Sequence, residues 1–337
     1  MKLSELYWYR ITPLHFLLWP ISMLYGCFLA IKKLCYWLDF LPTTKLPKPV
    51  IVIDSLSSID HNKSPFILWI VDTLQRNGYA PGIITHGSSD YPGLPCAVTS
   101  SNNTHCVDNK TLLLAEHCAD SCPVWVGSNL IAVAQAMLNA HPNCNVIICA
   151  DGLSFFRLER DIEIIIIDFS VQSYGNGLLL PAGPLRMSTR FLTNSSMVIT
   201  TSEEMHHENS TKRQGNTYRM KLLNEIAYNV NEPTSHQSIS YFKNKKLHAI
   251  SSDDNTQWFF DLIHKSGLKA ELHDYRENHL FKSAEIEFPE ADAILMPEEN
   301  ALQCKSFAHE KLWAIPRKAW ISEELQIALT NKLKKLS

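Results

Sequence analysis

The chain has 337 residues, of which 45% are hydrophobic and 19% are charged. This composition excludes an intrinsically disordered protein, and the length suits one large and one smaller domain. The formal net charge of −3 provides no basic field, so a nucleic-acid partner is not expected. Nine cysteines, an odd number, favour reduced thiols in a cytoplasmic compartment over a disulfide framework.

Residues 13–31 form an apolar and aromatic segment without Asp, Glu, Lys or Arg. A helix of about 19 residues rises about 28 Å, close to the thickness of a bilayer core. No small-residue cleavage site follows; instead, residues 32–37 form a basic and aromatic edge suited to lipid headgroups. We predict a membrane-associated helix within residues 1–40, with a buried helix of a soluble domain as the alternative. Pro20 leaves open whether the segment spans the bilayer or lies in its interface as two shorter helices.

A polar, proline-bearing linker at 45–49 leads into the β-branched run Val50–Ile53, which predicts a buried strand. Further short apolar runs then alternate with segments of helical spacing. This alternation predicts a parallel sheet with helices on both faces, in a core domain at 41–205. The predicted strands are 50–53, 82–85, 145–149 and 163–168, and the predicted helices are 66–78 and 130–138.

A polar, histidine-bearing stretch at 203–215 predicts an exposed connection, after which a second α/β pattern begins. We therefore predict a smaller second α/β domain at 206–337 that ends in an amphipathic helix. Its predicted strands are 247–250 and 293–296, and its predicted helices are 258–266 and 323–336.

Lys63 and Ser64 follow the first predicted strand and open the next helix. A P-loop has this layout, in which the lysine and the hydroxyl meet the phosphates and the Mg²⁺ ion of a nucleotide. By itself, a Lys-Ser-Pro tripeptide after a strand is a weak signal.

Two longer segments make the signal specific. The first is Asp151-Gly152-Leu153 together with residues 157–161, Arg-Leu-Glu-Arg-Asp. The second is Gly175–Arg186, which reads Gly-Asn-Gly-Leu-Leu-Leu-Pro-Ala-Gly-Pro-Leu-Arg. With these segments the chain resembles the tetraacyldisaccharide 4'-kinases from about Trp8 to Pro316.

The resemblance implies a P-loop NTPase-like fold and phosphorylation of the 4'-hydroxyl of tetraacyldisaccharide 1-phosphate, the lipid A precursor, by ATP with Mg²⁺. It also implies a place at the cytoplasmic face of a bacterial inner membrane, in contact with its lipids. The residues that it implies are Asn62, Lys63 and Ser64 for the nucleotide, Asp108 and Asp151 for catalysis, Ser64 and Asp151 for Mg²⁺, and Arg186 for the substrate.

Several chemistry-bearing positions depart from the family pattern. The phosphate loop Gly-Gly-x-Gly-Lys-Thr-Pro reads as residues 59–65, Ile-Asp-His-Asn-Lys-Ser-Pro, so all three glycines are replaced. Glycine lets backbone N–H groups converge on an anion without a Cβ in the way. The paired aspartates appear as Ala150-Asp151, and the arginine after the second strand as His86. The second-domain Asp-His-His motif best matches residues 277–279, Glu-Asn-His, and an asparagine cannot titrate as imidazole does.

Two interpretations stay open from the sequence. The chain is either an active, divergent 4'-kinase or a catalytically inactive relative that binds a lipid A precursor or a partner protein. His61, His273 or His279 could supply an imidazole, although each also fits an ordinary surface histidine. A further alternative is a zinc site, as opposed to packed thiols, within a short cluster. Its members are His105, Cys106, His117, Cys118 and Cys122.

Overall fold

The structure is a computed structural model that describes residue 8 and residues 12–58, 62–86, 93–99, 107–168, 174–189, 192, 196–201, 216–252, 256–276 and 279–336. Its strands form two sheets, one of nine strands and one of six. The strands are β1 (Val50–Ser55), β2 (Pro81–Thr85), β3 (Cys96–Ala97), β4 (Val124–Val126), β5 (Val146–Ala150), β6 (Ile162–Ile167), β7 (Met197–Thr200), β8 (Thr217–Leu223), β9 (Ile226–Asn229), β10 (His236–Ser238), β11 (Leu247–Ser251), β12 (Ala270–Asp274), β13 (Ala293–Pro297), β14 (Leu312–Ile315) and β15 (Lys318–Ile321).

Longer helices flank these sheets, with 3₁₀ turns between several of them. The α-helices are α1 (His15–Trp37), α2 (Lys63–Arg76), α3 (Asn109–Cys118), α4 (Leu130–Ala140), α5 (Gln257–Lys265), α6 (Glu298–Ala301) and α7 (Glu323–Lys334). The predicted α/β class is confirmed, and each predicted strand and helix of the two domains is present within a few residues of its predicted bounds.

The larger sheet runs in the order β15-β8-β7-β6-β1-β5-β2-β4-β3. Its strands from β8 to β4 are parallel, and antiparallel pairs occur only at its two edges, β15 on β8 and β3 on β4. All six residues of β1 are buried because helices cover both faces. Ile51 and Ile53 pack on the side of α2 and α7, while Val50 and Val52 pack on the side of α4.

The smaller sheet runs in the order β10-β9-β14-β13-β11-β12, with four parallel strands followed by the antiparallel β9 and β10. The chain then returns to the larger sheet. β15 pairs with β8, and Leu325, Leu329 and Leu333 of α7 lie in the core beside α2. Within the predicted second domain, 206–337, the strands β8 and β15 thus belong to the nine-stranded sheet, and the boundary at 205/206 stays a prediction.

Helix α1 is continuous through Pro20 and extends to Trp37, so the basic and aromatic edge continues the helix. Its buried residues are His15, Ser22 and Leu29. Their spacing of seven places them on one narrow face. The remaining faces expose large apolar side chains to solvent, with Phe16 87% and Leu24 70% exposed. The alternative of a helix buried in a soluble domain does not fit this exposure.

Side chains of α3, in the part of the chain around the larger sheet, contact residues 298–305 beside the smaller sheet. His117 lies with its Nε2 3.2 Å from Oε1 of Glu298 at the start of α6, and Glu116 pairs with Lys305. Gln303 donates a hydrogen bond to Asn109. The hydrogen bond with Glu298 raises the pKa of His117 above its ordinary value, against the opposing effect of burial.

We expect this contact to stabilise the fold more in acid than in base. A histidine whose pKa is raised on folding contributes its full stability below its unfolded pKa, near 6.5, and loses it as pH rises through the raised value. Since 41% of the His117 side chain is exposed, screening limits the effect to about 0.5–1 kcal/mol. Urea unfolding of wild type and His117→Gln at pH 6 and pH 8.5 measures it. An equal difference in the free energy of unfolding at both values would contradict the prediction.

Candidate active site

The site lies where β1 and β5 end and α2 begins. The two strands are parallel neighbours, with Ile53 opposite Ala150, so the next residues, Asp54 and Asp151, emerge side by side. The amide of Asp151 donates a hydrogen bond to the carbonyl of Ile53 at 3.3 Å. Asp151 has a φ of 62°, a left-handed conformation in which the chain turns sharply away from the sheet. Carboxylates thus gather at the sheet edge where ligands of open α/β sheets bind.

Asp151 accepts a hydrogen bond from the Lys63 ammonium, and the side chains are 31% and 12% exposed. Thr85 donates to its other oxygen at 3.3 Å, and Nη1 of Arg186 lies 3.9 Å from Oδ1. Burial alone would raise the pKa of Asp151, but the charge and hydrogen bond of Lys63, with the charge of Arg186, lower it to about 2. The structure therefore brings together three of the predicted residues: Lys63, Asp151 and Arg186.

Asp54 is a site residue that sequence reasoning missed. It is 3% exposed, and its carboxylate accepts hydrogen bonds from the amides of Ser55 at 2.8 Å and Leu153 at 3.0 Å. Burial raises its pKa to about 6, although the charge of Lys63 acts in the opposite direction. The available signal was an acidic residue directly after the apolar run Val50–Ile53, where burying an ionised side chain is costly.

Asn62 and Ser64 lie at the first turn of α2 and are buried. The Asn62 side chain donates to Oδ2 of Asp168 at 3.1 Å and accepts from Nη2 of Arg317 at 2.7 Å. The Arg317 guanidinium lies over the Trp258 ring, 4.2 Å from its centroid. Asn62, which replaces the third glycine of the family's phosphate loop, is thus held by side chains from outside that loop. Ile59, Asp60 and His61 lie outside the described residues.

Arg186 ends a segment, Gly175–Arg186, that supports helix α1. The Ser22 hydroxyl donates to the carbonyl of Leu179 at 2.9 Å and accepts from the amide of Ala182 at 2.9 Å. A Cβ at Gly183 would lie 2.4 Å from the carbonyl oxygen of Leu178, so this close approach requires glycine. The segment that carries the family resemblance therefore connects the apolar helix, through Ser22, with the Lys63–Asp151 pair, through Arg186.

Asp108, to which the resemblance assigns a catalytic role, is the N-cap of α3. It is the residue before α3, and its Oδ1 accepts a hydrogen bond from the amide of Thr111 at 2.8 Å, as helix N-caps do. Its described contacts do not include Lys63 or Asp151. Its catalytic role stays a prediction.

The other sequence-predicted histidines and cysteines have partners of their own. His279 lies 3.0 Å from Oε2 of Glu285, and His273 lies 2.8 Å from His248. Cys118 and Cys122 are buried thiols, as in the packed-thiol alternative. Residues 105, 106, 277 and 278 lie outside the described residues.

His86, which stands where the resemblance expects arginine, lies beside the carboxylates. Burial lowers its pKa, and the charge of Asp151 partly opposes this effect. At neutral pH the imidazole is therefore uncharged, able to donate or accept a hydrogen bond but unable to neutralise phosphate charge.

The donor set at this edge fits a magnesium nucleotide. Asp54 and Asp151 offer carboxylate oxygens and Ser64 a hydroxyl, which are the hard oxygen ligands that Mg²⁺ prefers. The first turn of α2 directs backbone N–H groups outward, and Lys63 adds a full positive charge beside them. The three oxygen donors would hold the ion, and Lys63 with the first turn of α2 would hold the phosphates.

Comparison with known proteins identifies the family. The family model for tetraacyldisaccharide-1-P 4'-kinase matches residues 14–334. A tetraacyldisaccharide 4'-kinase of Nitrosomonas eutropha is 38% identical over 336 residues, covering 99% of this chain and 84% of the relative. One of Methylobacillus flagellatus is 32% identical over 329 residues, covering 98% of this chain and 94% of the relative.

A solved structure shows the same fold. LpxK from Aquifex aeolicus, crystallised in complex with ATP, superposes with a TM-score of 0.77 at 19% sequence identity. The match covers 93% of this chain and 98% of that one. The nearly full-length family match and the sequence relatives show that the chain belongs to the tetraacyldisaccharide-1-P 4'-kinase family.

Proposed function

We propose that this protein is an active 4'-kinase of lipid A synthesis, which transfers the γ-phosphoryl group of ATP to the 4'-hydroxyl of tetraacyldisaccharide 1-phosphate. The observation that carries this proposal is the cluster of Lys63, Asp151 and Asp54 at the start of α2. Phosphoryl transfer depends mainly on positioning and charge stabilisation, and this cluster retains both a cation for the phosphates and oxygen ligands for a metal ion.

Lys63 is the residue we assign to the β- and γ-phosphates. In the described structure its ammonium pairs with Asp151, which keeps the side chain ordered near the first turn of α2. An arriving phosphate competes for the same ammonium, which would free the Asp151 carboxylate to serve as a ligand for Mg²⁺. Mg²⁺, when bound, neutralises charge that builds up on the phosphate oxygens.

Asp54 supplies the second carboxylate of the site, in place of the aspartate that the resemblance leads us to expect at position 150. The resemblance leads us to expect two adjacent aspartates, and position 150 instead holds a buried alanine within β5. Asp54 comes from the neighbouring strand β1 and ends at the same edge. We propose that Asp54 and Asp151, rather than two consecutive residues, form the carboxylate pair that holds Mg²⁺ together with Ser64.

We assign the acceptor side to Asp108 and Arg186. Arg186 reaches Asp151 while its carbonyl accepts a hydrogen bond from the Tyr25 hydroxyl of α1 at 3.2 Å. A lipid substrate bound along α1 would therefore meet the guanidinium at the site. Asp108 is held in a fixed orientation by Thr111 at the start of α3, where a carboxylate can receive the acceptor proton.

The exposed faces of α1 support a place on the inner membrane, with the two sheets on the cytoplasmic side. This helix is the one candidate for a membrane span among the described residues. In its second half, Lys32 donates a hydrogen bond to the carbonyl of Ser154 at 3.4 Å, so one side of this part of α1 contacts the core domain while its apolar faces stay exposed. The lipid precursor and its kinase would then share one surface.

The test of activity is ATP-dependent phosphorylation of tetraacyldisaccharide 1-phosphate by the purified, detergent-solubilised full chain. We expect turnover that requires Mg²⁺ and stops on chelation with EDTA, and a rise in thermal midpoint with ATP. A parallel preparation of Ser64→Ala controls for kinases of the expression host, and Ser64→Thr should retain turnover. No turnover and no effect of millimolar ATP would overturn the proposal in favour of the inactive relative.

The membrane assignment predicts loss of vesicle binding when outward apolar residues of α1 are replaced. The triple variant Phe16→Ser, Leu17→Ser, Leu24→Ser removes about 1.5–3 kcal/mol of burial per side chain. We expect partitioning onto anionic vesicles to fall by more than about 10²-fold in sedimentation. The matched control is Ile327→Ser, which removes an aliphatic side chain 59% exposed on α7. An equal loss of vesicle binding in the triple variant and in Ile327→Ser would contradict the proposed contact of α1 with the membrane.

A further inference from the structure

Beyond the proposed kinase, the second sheet carries a cluster of ligating side chains that the reaction does not use. Its members are His248 on β11 and Glu271 and His273 on the edge strand β12. His248 lies opposite Glu271 in the parallel register, and His273 is two residues further along, so the three side chains emerge on one face of the sheet. One ligand atom from each lies within 4.8 Å of those of the others.

The potential ligand atoms of these three side chains lie close to one another. Nδ1 of His248 lies 2.8 Å from Nε2 of His273 and 3.9 Å from Oε2 of Glu271. Two nitrogens on a tetrahedral zinc ion lie about 3.3 Å apart, so a shift of roughly half an ångström would admit the metal. The imidazoles share one hydrogen bond as they stand, which places a lone pair of one of them between the rings.

The surroundings of His248 match those of a metal-binding histidine. Its other nitrogen, Nε2, lies 3.7 Å from Oε1 of Glu290, so a small movement of this exposed carboxylate would let it accept the Nε2 proton and leave Nδ1 as the ligand atom. The His248 ring is 6% exposed and stacks on Phe288 at 3.9 Å between centroids.

We propose that His248, Glu271 and His273 bind one divalent transition-metal ion of the zinc class, with a water molecule as fourth ligand. Two imidazoles and one carboxylate suit Zn²⁺, Ni²⁺ or Co²⁺ and not Mg²⁺, which prefers oxygen ligands alone. The ion would fasten the edge strand β12 to β11. It would thereby hold Tyr275, which directly follows β12 and whose ring stacks on that of His279.

The test is Zn²⁺ titration of the full chain by calorimetry, with Co²⁺ absorption as a probe of coordination. We expect one ion per chain, about 100-fold weaker binding in His273→Asn, and 10–100-fold weaker binding in Glu290→Gln. Glu271→Gln, at an exposed residue, replaces His273→Asn should the latter not fold. The control is His264→Asn, which changes an exposed histidine of α5 and should bind as wild type does.

Kinase turnover is recorded separately, so failure of metal binding and failure of kinase activity can be told apart. No Zn²⁺ binding by the wild type would overturn the proposal. Zn²⁺ binding by His273→Asn and Glu271→Gln with unchanged stoichiometry and affinity would also overturn it, because the ion would then be bound elsewhere, for instance by thiols.

Discussion

Replacing Lys63 by alanine is expected to lower kinase turnover by about 10²–10³-fold. Lys63 is the cation that lies among Asp54, Asp151 and the start of α2, and charge that builds up on a transferred phosphoryl group needs a fixed cation in that place. The measurement is turnover of tetraacyldisaccharide 1-phosphate under saturating ATP·Mg²⁺.

The substitution Lys63→Ala should also raise the pKa of the two neighbouring carboxyl groups and lower the stability of the fold. Without the ammonium, burial raises the pKa of Asp151 from about 2, and that of Asp54 rises from about 6. We expect the free energy of unfolding to fall by about 1–3 kcal/mol at pH 7, since Asp151 keeps Arg186 and partial solvent contact.

The matched control is Lys45→Ala, which removes an exposed lysine whose Nζ lies 3.7 Å from Glu159. Its pair is 70% and 46% exposed, so turnover and stability should both stay near wild type. Retention of more than about a tenth of wild-type turnover by Lys63→Ala would show that another group holds the phosphates, contrary to the assignment.

Replacing Asp54 by asparagine is expected to raise the Mg²⁺ concentration for half-maximal turnover by about 10–100-fold. Asparagine has the size of aspartate but no charge, so one of the two carboxylates proposed for the ion is lost while the packing of a buried residue is kept. Mn²⁺ binding followed by electron paramagnetic resonance, in the presence of a non-hydrolysable ATP analogue, measures the same change without turnover.

Asp54→Asn also has a predicted effect on stability. Because burial raises the pKa of Asp54 to about 6, the folded state holds its proton more tightly than the unfolded chain does. The contribution of Asp54 to stability is therefore greatest below pH 4 and declines as pH rises to about 6, and asparagine should remove that decline. The control is Asp72→Asn, at an exposed residue of α2 that pairs with Arg76. Equal Mg²⁺ requirements in Asp54→Asn and wild type would contradict the role of Asp54.

The sequence could predict those parts of the protein whose signal is local. The apolar runs within β1, β5 and β6 predict buried parallel strands, because a strand covered on both faces carries apolar side chains on both. Lys63-Ser64 after the first strand, and the segment Gly175–Arg186, predict a phosphate site and a family by pattern alone.

Other elements escaped prediction for identifiable reasons. β3, β4 and β10 have two or three residues each, too few to show a period of two. β8 alternates buried and exposed residues, but its place beside β7, and the pairing of β15 on it, are set by contacts distant in the chain. The return of α7 to the larger core depends on the same long-range packing.

The apolar helix, the α/β pattern and the lysine and hydroxyl at its first turn were determined by the sequence alone, because each depends on neighbours a few residues away. Only the tertiary structure placed Asp54 beside Asp151, since parallel strands bring together residues 97 positions apart. It also assigned Asp108 to a helix cap and joined His248 to His273 across two strands. Distances between side chains on different strands follow from sheet order and register, which no local pattern encodes.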